Sequence, residues 1–337
     1  MTHCCRRPSD KLRLIRGAPS LSTCLEPTDV SSATYSLRSA GSEPAGCDHV
    51  AIASSHFAIY TSLVNTIGPV ATTYLHRPDG RIAYDVDGTG PLVVLVPGMG
   101  DLRATYRHLA PSLRGHHYRV AVMDLRGHGD SDASFATYGD VETAGDVAAL
   151  IEELGGPAVI VGNSMGAAAA ALVAADRPDL VHGLVLIGPF VRGPASKAPQ
   201  RLVQRIALAP TWAARFWRAY LPTLYAGSRP SDFEVYRDAV VDSLRRPGYA
   251  RAFSRTSRLR HDAAEASLER VAAPTMVVMG ELDPDFPDPA AEARWIGDRL
   301  HADVVMVPDA GHYPQSQQPD RTVAATLRFL SGLDRRA

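Results

Sequence analysis

Apolar positions along this chain fall into two kinds of run. The first is short and apolar at every position: Leu92–Val96, Val120–Met123, Ala158–Val161, Leu184–Ile187, Met276–Met279 and Val304–Val307. A strand apolar on both faces belongs inside a parallel sheet that helices cover from both sides. The second kind is longer and helical in character: Leu102–Leu113, Val141–Leu154, Met165–Asp176, Ala290–Leu300 and Arg321–Leu330. Ahead of both, Tyr74–His76 and Arg81–Val86 flank Pro78-Asp79-Gly80. Proline presets φ and glycine accepts φ > 0, so this segment predicts an antiparallel hairpin. The alternation predicts an α/β fold, with a mostly parallel central sheet flanked by helices.

The alternation breaks once. Residues 190–270 contain no clean apolar strand. They are helical in tone and carry Trp212, Phe216, Trp217, Tyr220, Tyr225, Tyr236 and Phe253. This segment is expected to be an inserted helical cap, leaving 71–189 and 271–337 as the core. Residues 1–70 are rich in Ser, Thr, Pro and Gly and lack sustained periodicity, so they are expected to form a disordered or loosely attached extension.

Composition narrows the function classes. Of 337 residues, 45% are hydrophobic and 21% charged, as in an ordinary soluble globular protein. The formal net charge of −1 gives no argument for binding nucleic acid or a membrane surface. Cys4, Cys5, Cys24 and Cys47 all precede the regular part of the chain, so the core is expected to use neither a thiol nucleophile nor an internal disulfide. Their spacing, without matching histidines, does not suggest a zinc site. No run of eighteen apolar residues is present, so a spanning helix is not expected. The basic start from Arg6 to Arg16 lacks the apolar stretch of an export signal, which points to the cytoplasm. Oligomeric state is not set by any of these patterns.

The chemistry centres on Gly162-Asn163-Ser164-Met165-Gly166, a G-x-S-x-G sequence. It follows the strand Ala158–Val161 directly and opens an alanine-rich helix. A sharp strand-to-helix turn lifts the serine Oγ out of the sheet edge, and the two glycines leave room for the crossing backbone. The helix N-terminus favours a developing anion.

With this motif the chain resembles the α/β-hydrolase superfamily from about Thr72 to Leu330. That resemblance implies a Ser–acid–His order. Gly280-Glu281-Leu282-Asp283 follows the strand Met276–Met279, and Ala310-Gly311-His312 follows Val304–Val307. The implied roles are Ser164 as nucleophile, His312 as base and Asp283 as the acid that orients the imidazole. Asp285 and Asp288 lie near, but the G-x-x-D spacing favours Asp283. His128, in Arg126-Gly127-His128-Gly129, resembles a structural turn of the family. By position, the oxyanion donors are the backbone N–H groups of Met165 and of Met99, in Pro97-Gly98-Met99-Gly100-Asp101. The family usually has His-Gly where this chain has Pro97-Gly98.

No cofactor or metal is implied, and the expected partner is a small-molecule substrate. A serine at the elbow disfavours the epoxide hydrolases and haloalkane dehalogenases of this fold, which use a carboxylate there. Carboxylic ester hydrolysis through an acyl-enzyme is the default reading. Carbon–carbon bond hydrolysis is the alternative, because Gly162–Gly166 and Leu186-Ile187-Gly188-Pro189 are similar to the meta-cleavage-product hydrolases. A small-molecule receptor that keeps the triad is a third reading. Between Phe190 and Arg270 there are about fifteen Arg and Lys against about seven Asp and Glu, an excess of roughly eight. Arginines pairing the core's acids explain this better than attraction of an anionic substrate. Trp217 and Tyr220 are candidates to line an apolar acyl pocket.

Overall fold

The computed structural model describes residues 71–193, 206–258 and 260–335, so the expectation for residues 1–70 lies outside the described residues. The strands are β1 (Thr73–Arg77), β2 (Gly80–Asp87), β3 (Leu92–Val96), β4 (Arg119–Met123), β5 (Ala158–Asn163), β6 (Val181–Ile187), β7 (Thr275–Gly280) and β8 (Asp303–Val307). They form one eight-stranded sheet in the order β1-β2-β4-β3-β5-β6-β7-β8. The hairpin strand β2 pairs antiparallel with both β1 and β4; the remaining pairs are parallel. Val94 and Val96 of β3 enter one core, and Val93 and Leu95 enter the core on the opposite face. Burial on both faces is why this strand, like β5, is apolar at successive positions.

Helices α1 (Leu109–Gly115), α2 (Asp140–Glu153) and α3 (Met165–Asp176) alternate with the first strands. The continuous helix expected over Leu102–Leu113 is instead a 3₁₀ turn, Arg103–Tyr106, followed by α1. Pro111 explains the break. Deep in a longer helix it would lack an N–H and clash with the preceding turn; as the third residue of α1 it costs nothing. Helix α3 is buried all round from Met165 to Ala174, and its run of alanines lets it pack closely beneath the sheet.

Between residues 190 and 270 the described residues form helices α4 (Ala213–Leu224), α5 (Phe233–Arg245), α6 (Tyr249–Thr256) and α7 (Asp262–Ser267), and no strand. The inner face of α4 packs Trp217, Leu221 and Leu224 with Leu102, Tyr236, Phe253 and Tyr313. Then come α8 (Pro289–Leu300), α9 (Pro314–Gln317) and α10 (Pro319–Asp334). Because β3 to β8 run parallel, the loops after β3, β5, β7 and β8 open at the same edge of the sheet. Met99, Ser164, Asp283 and His312 lie on these loops, and Met165 opens the helix that follows β5.

Candidate active site

Ser164 caps the N-terminus of α3 with φ 55° and ψ −120°, a left-handed backbone that a non-glycine residue adopts only when its surroundings force it. The neighbours show why. A Cβ at Gly162 would lie 2.4 Å from the Gly166 carbonyl oxygen, and one at Gly166 would lie 2.3 Å from the Val96 carbonyl oxygen. Strand, turn and helix therefore cross at a distance only glycine permits. The Ser164 N–H donates to the Ile187 carbonyl at 2.9 Å, which pins the elbow to the end of β6.

His312 and Asp283 meet although 29 positions separate them: Nδ1 of the ring is 2.7 Å from Asp283 Oδ2. A carboxylate can only accept, so Nδ1 carries a proton, and in the neutral ring Nε2 presents a lone pair. Both side chains are buried. Burial opposes a charge on His312, but the charge of Asp283, the hydrogen bond to it and the charge of Asp285 outweigh burial and raise the imidazole to about 9. The end of β6 passes directly beneath this pair. A Cβ at Gly188, where φ is +48°, would lie 3.2 Å from His312 Nδ1 and 3.3 Å from Asp283 Oδ2.

Two links bring the elbow and the histidine together. Asn163, the x of the pentapeptide, donates from Nδ2 to the carbonyls of Ile187 at 3.0 Å and His312 at 3.2 Å. Phe190 donates from its N–H to the Ser164 carbonyl at 3.3 Å, while its ring stands edge-on to His312 with centroids 5.7 Å apart. Phe190 also packs against Phe286 at 4.9 Å, so an apolar wall stands beside the imidazole. Sequence reasoning missed both residues. The pentapeptide leaves position 163 free, and Phe190 follows a strand with no motif of its own.

The loop after β3 approaches the elbow closely. A Cβ at Gly98 would lie 2.8 Å from Ser164 Cβ and 3.4 Å from its Oγ, so the backbone of this loop passes directly beside the elbow. The loop is held from below by His128. Its Nδ1 contacts the Arg126 carbonyl at 2.9 Å and must donate there, so its Nε2 accepts the Gly100 N–H at 2.9 Å. Burial lowers this imidazole to about 4, in keeping with a neutral ring that serves the backbone. Asp101, in the same loop, is wholly buried and accepts from the Tyr236 hydroxyl at 2.7 Å; burial pushes its carboxyl up to about 7.

Asp285 lies closer to the centre than its place in the sequence suggested. Its Oδ2 is 3.8 Å from His312 Nδ1, and its N–H donates to Asp283 Oδ1 at 3.1 Å. Asp288 serves elsewhere: its side chain accepts the Ala291 N–H and caps α8. Among the described residues, Asp283, Asp285 and His312 are the group whose ligating atoms, within 4.8 Å of one another, could hold a metal ion. Asp283 is already bonded to the imidazole, and Asp285 to Tyr220.

Residues 93–325 match the model of the alpha/beta hydrolase family. The chain is 31% identical over 264 residues to a 2-(acetamidomethylene)succinate hydrolase of Mesorhizobium japonicum, covering 74% of this chain and 92% of that protein. It is 29% identical over 255 residues to a pimeloyl-[acyl-carrier protein] methyl ester esterase of Neisseria meningitidis, covering 72% and 77%. The fold is similar to that of a solved esterase from Thermogutta terrifontis, with a TM-score of 0.66 at 23% identity over 78% of this chain and 99% of that one. An epoxide hydrolase and a bromoperoxidase also stand among the similar proteins, so they do not share one reaction.

Proposed function

Since the chain belongs to the alpha/beta hydrolase family, we propose that it is a serine hydrolase that cleaves carboxylic esters through an acyl-enzyme on Ser164. The observation that carries this reading is the forced backbone of Ser164, tied through Asn163 to the backbone of a histidine whose Nδ1 is bonded to Asp283. A serine at this position argues against the carboxylate-nucleophile chemistries of the fold.

In this reading Ser164 Oγ attacks the ester carbonyl carbon as His312 Nε2 takes its proton. The carbonyl electrons move onto oxygen, where the N–H groups of Met99 and Met165 hold them. Collapse breaks the bond to the alcohol, which leaves with the proton from His312. Water then attacks the acyl-enzyme by the same route, releasing the acid and restoring Ser164. Asp283 keeps the imidazole in the productive tautomer and offsets its charge. The apolar wall of Phe190 and Phe286 suits the acyl chain.

The relative named 2-(acetamidomethylene)succinate hydrolase favours keeping a second reading, in which the same serine opens a bond other than an ester, as in carbon–carbon hydrolysis of the meta-cleavage type. A panel of p-nitrophenyl esters of increasing acyl length, assayed beside a vinylogous diketone, separates the two. Turnover of the esters, lowered at least about 10³-fold in Ser164→Ala, is the expected result. Turnover of the diketone alone would replace the ester reading, and binding without turnover would favour a receptor.

A further inference from the structure

We propose that Trp217 and Tyr220, on one face of cap helix α4, are positioning residues that hold the oxyanion loop and the acid loop in register, so that the cap completes the catalytic geometry. This inference rests on the serine-hydrolase reading above. The two residues are three positions apart, with rings 5.6 Å apart, and so share one helical face.

Trp217 acts on the oxyanion loop. Its indole Nε1 donates to the Gly100 carbonyl at 2.9 Å in a buried setting. Gly100 has φ +79°, and a Cβ there would lie 2.4 Å from the indole ring, so the loop backbone lies flat against it. The Gly100 N–H is meanwhile given to His128. Both peptide groups of Gly100 are thus fixed, one by the core and one by the cap. His128 thus holds the Met99–Gly100 peptide and Trp217 the Gly100–Asp101 peptide, the two that directly follow the Met99 N–H, the proposed oxyanion donor.

Tyr220 acts on the acid loop. Its hydroxyl donates to Asp285 Oδ1 at 2.7 Å, while the other oxygen of Asp285 faces His312 Nδ1 at 3.8 Å. The carboxylate is therefore held as a second negative charge beside the imidazole, behind Asp283. The same helix ends on the histidine itself: the Leu224 carbonyl accepts the His312 N–H at 2.8 Å. One helix touches the oxyanion loop, the acid loop and the base. A cap that swung away as a rigid lid would break all three contacts at once.

The titratable groups facing His312 are Asp283 and Asp285 from the acid loop, Asp101 from the loop after β3 and Tyr313 beside it, with Tyr220 from the cap bonded to Asp285. Freed from Tyr220, the Asp285 carboxylate can turn away from the ring, and the imidazolium loses part of its support. The test measures the rate of Ser164 labelling by a fluorophosphonate across pH, which needs no knowledge of the substrate. It compares wild type, Tyr220→Phe, Asp285→Asn, the double variant and Trp217→Phe, with thermal melting to check that each folds.

The proposal expects the midpoint of the rate-against-pH curve to fall in Tyr220→Phe and in Asp285→Asn. It expects the double variant to fall no further than Asp285→Asn alone, because the hydroxyl works through that carboxylate. Trp217→Phe keeps a ring but loses the donor, so its plateau rate drops about tenfold or more with the midpoint unchanged. A Tyr220→Phe midpoint equal to wild type, additive shifts in the double variant, or an unaltered Trp217→Phe plateau in folded protein would overturn it. Failure of wild type to label at all would sink the serine-hydrolase reading, and this inference with it; normal labelling with unmoved midpoints would sink this inference alone.

Discussion

At the scale of single residues, the protonation of His312 governs the proposed reaction. In the proposed reaction the imidazole must be neutral to accept the Ser164 proton, and its raised pKa means neutrality comes at higher pH than for an ordinary histidine. The acid limb of kcat/KM should therefore have its midpoint above 6.5, with activity falling as pH drops through it. Asp283→Asn should lower kcat about 10³- to 10⁴-fold by releasing the wrong tautomer, and should move the midpoint down. A pH–rate series on both proteins checks this; a wild-type midpoint below that of the variant would contradict it. The elbow at Ser164 and the meeting of His312 with Asp283 were legible in the sequence because each of the three follows a strand in a family pattern. Asn163, Phe190 and the closeness of Asp285 were not, since their roles depend on contacts with residues far away in the chain. His128 was legible as a turn residue; its bond to the Gly100 N–H became visible only in three dimensions.

At the scale of elements, the apolar runs marked the buried strands well because burial on both faces leaves no room for polar residues. Strand edges were less legible: β6 begins at Val181, ahead of the apolar run at Leu184, because exposed His182 and the side-chain-less Gly183 interrupt it. The helix expected from Leu102 fails at Pro111 and gives way to a 3₁₀ turn that carries Arg103. Arg103 joins three segments. It pairs with Asp85 of β2 at 2.8 Å, with Asp130 at 2.8 Å, and with the fully buried Asp124 after β4. Burial drives the Asp124 carboxyl up and the Arg103 charge draws it back. Removing the guanidinium would strand a carboxylate in the core, so Arg103→Ala should cost about 3–5 kcal/mol of stability. Denaturant unfolding measures it; a loss below about 1 kcal/mol would show that the network carries little weight.

At the scale of the whole molecule, seven of the described arginines between residues 190 and 270 pair with acids. Arg192 pairs with Glu292, Arg246 faces Asp130 at 4.0 Å, and Arg270 pairs with Asp176, each joining that segment to the core. Arg218, Arg237, Arg245 and Arg260 pair with acids of the segment itself. With these pairs formed and a net charge of −1 over the whole chain, an anionic ester should gain little from long-range attraction. Its kcat/KM should change less than about twofold between low and physiological ionic strength, where the screening length falls to about 8 Å. A steep fall with salt would instead show steering. None of the described helices is long and apolar enough to cross a membrane. The central claim is that Ser164 is an activated nucleophile, and the most direct measurement is fluorophosphonate labelling of wild type and Ser164→Ala, read by intact and peptide mass spectrometry. The account predicts one adduct, on Ser164, absent from the variant; an unlabelled but folded wild type, or an adduct that survives in Ser164→Ala, would contradict it.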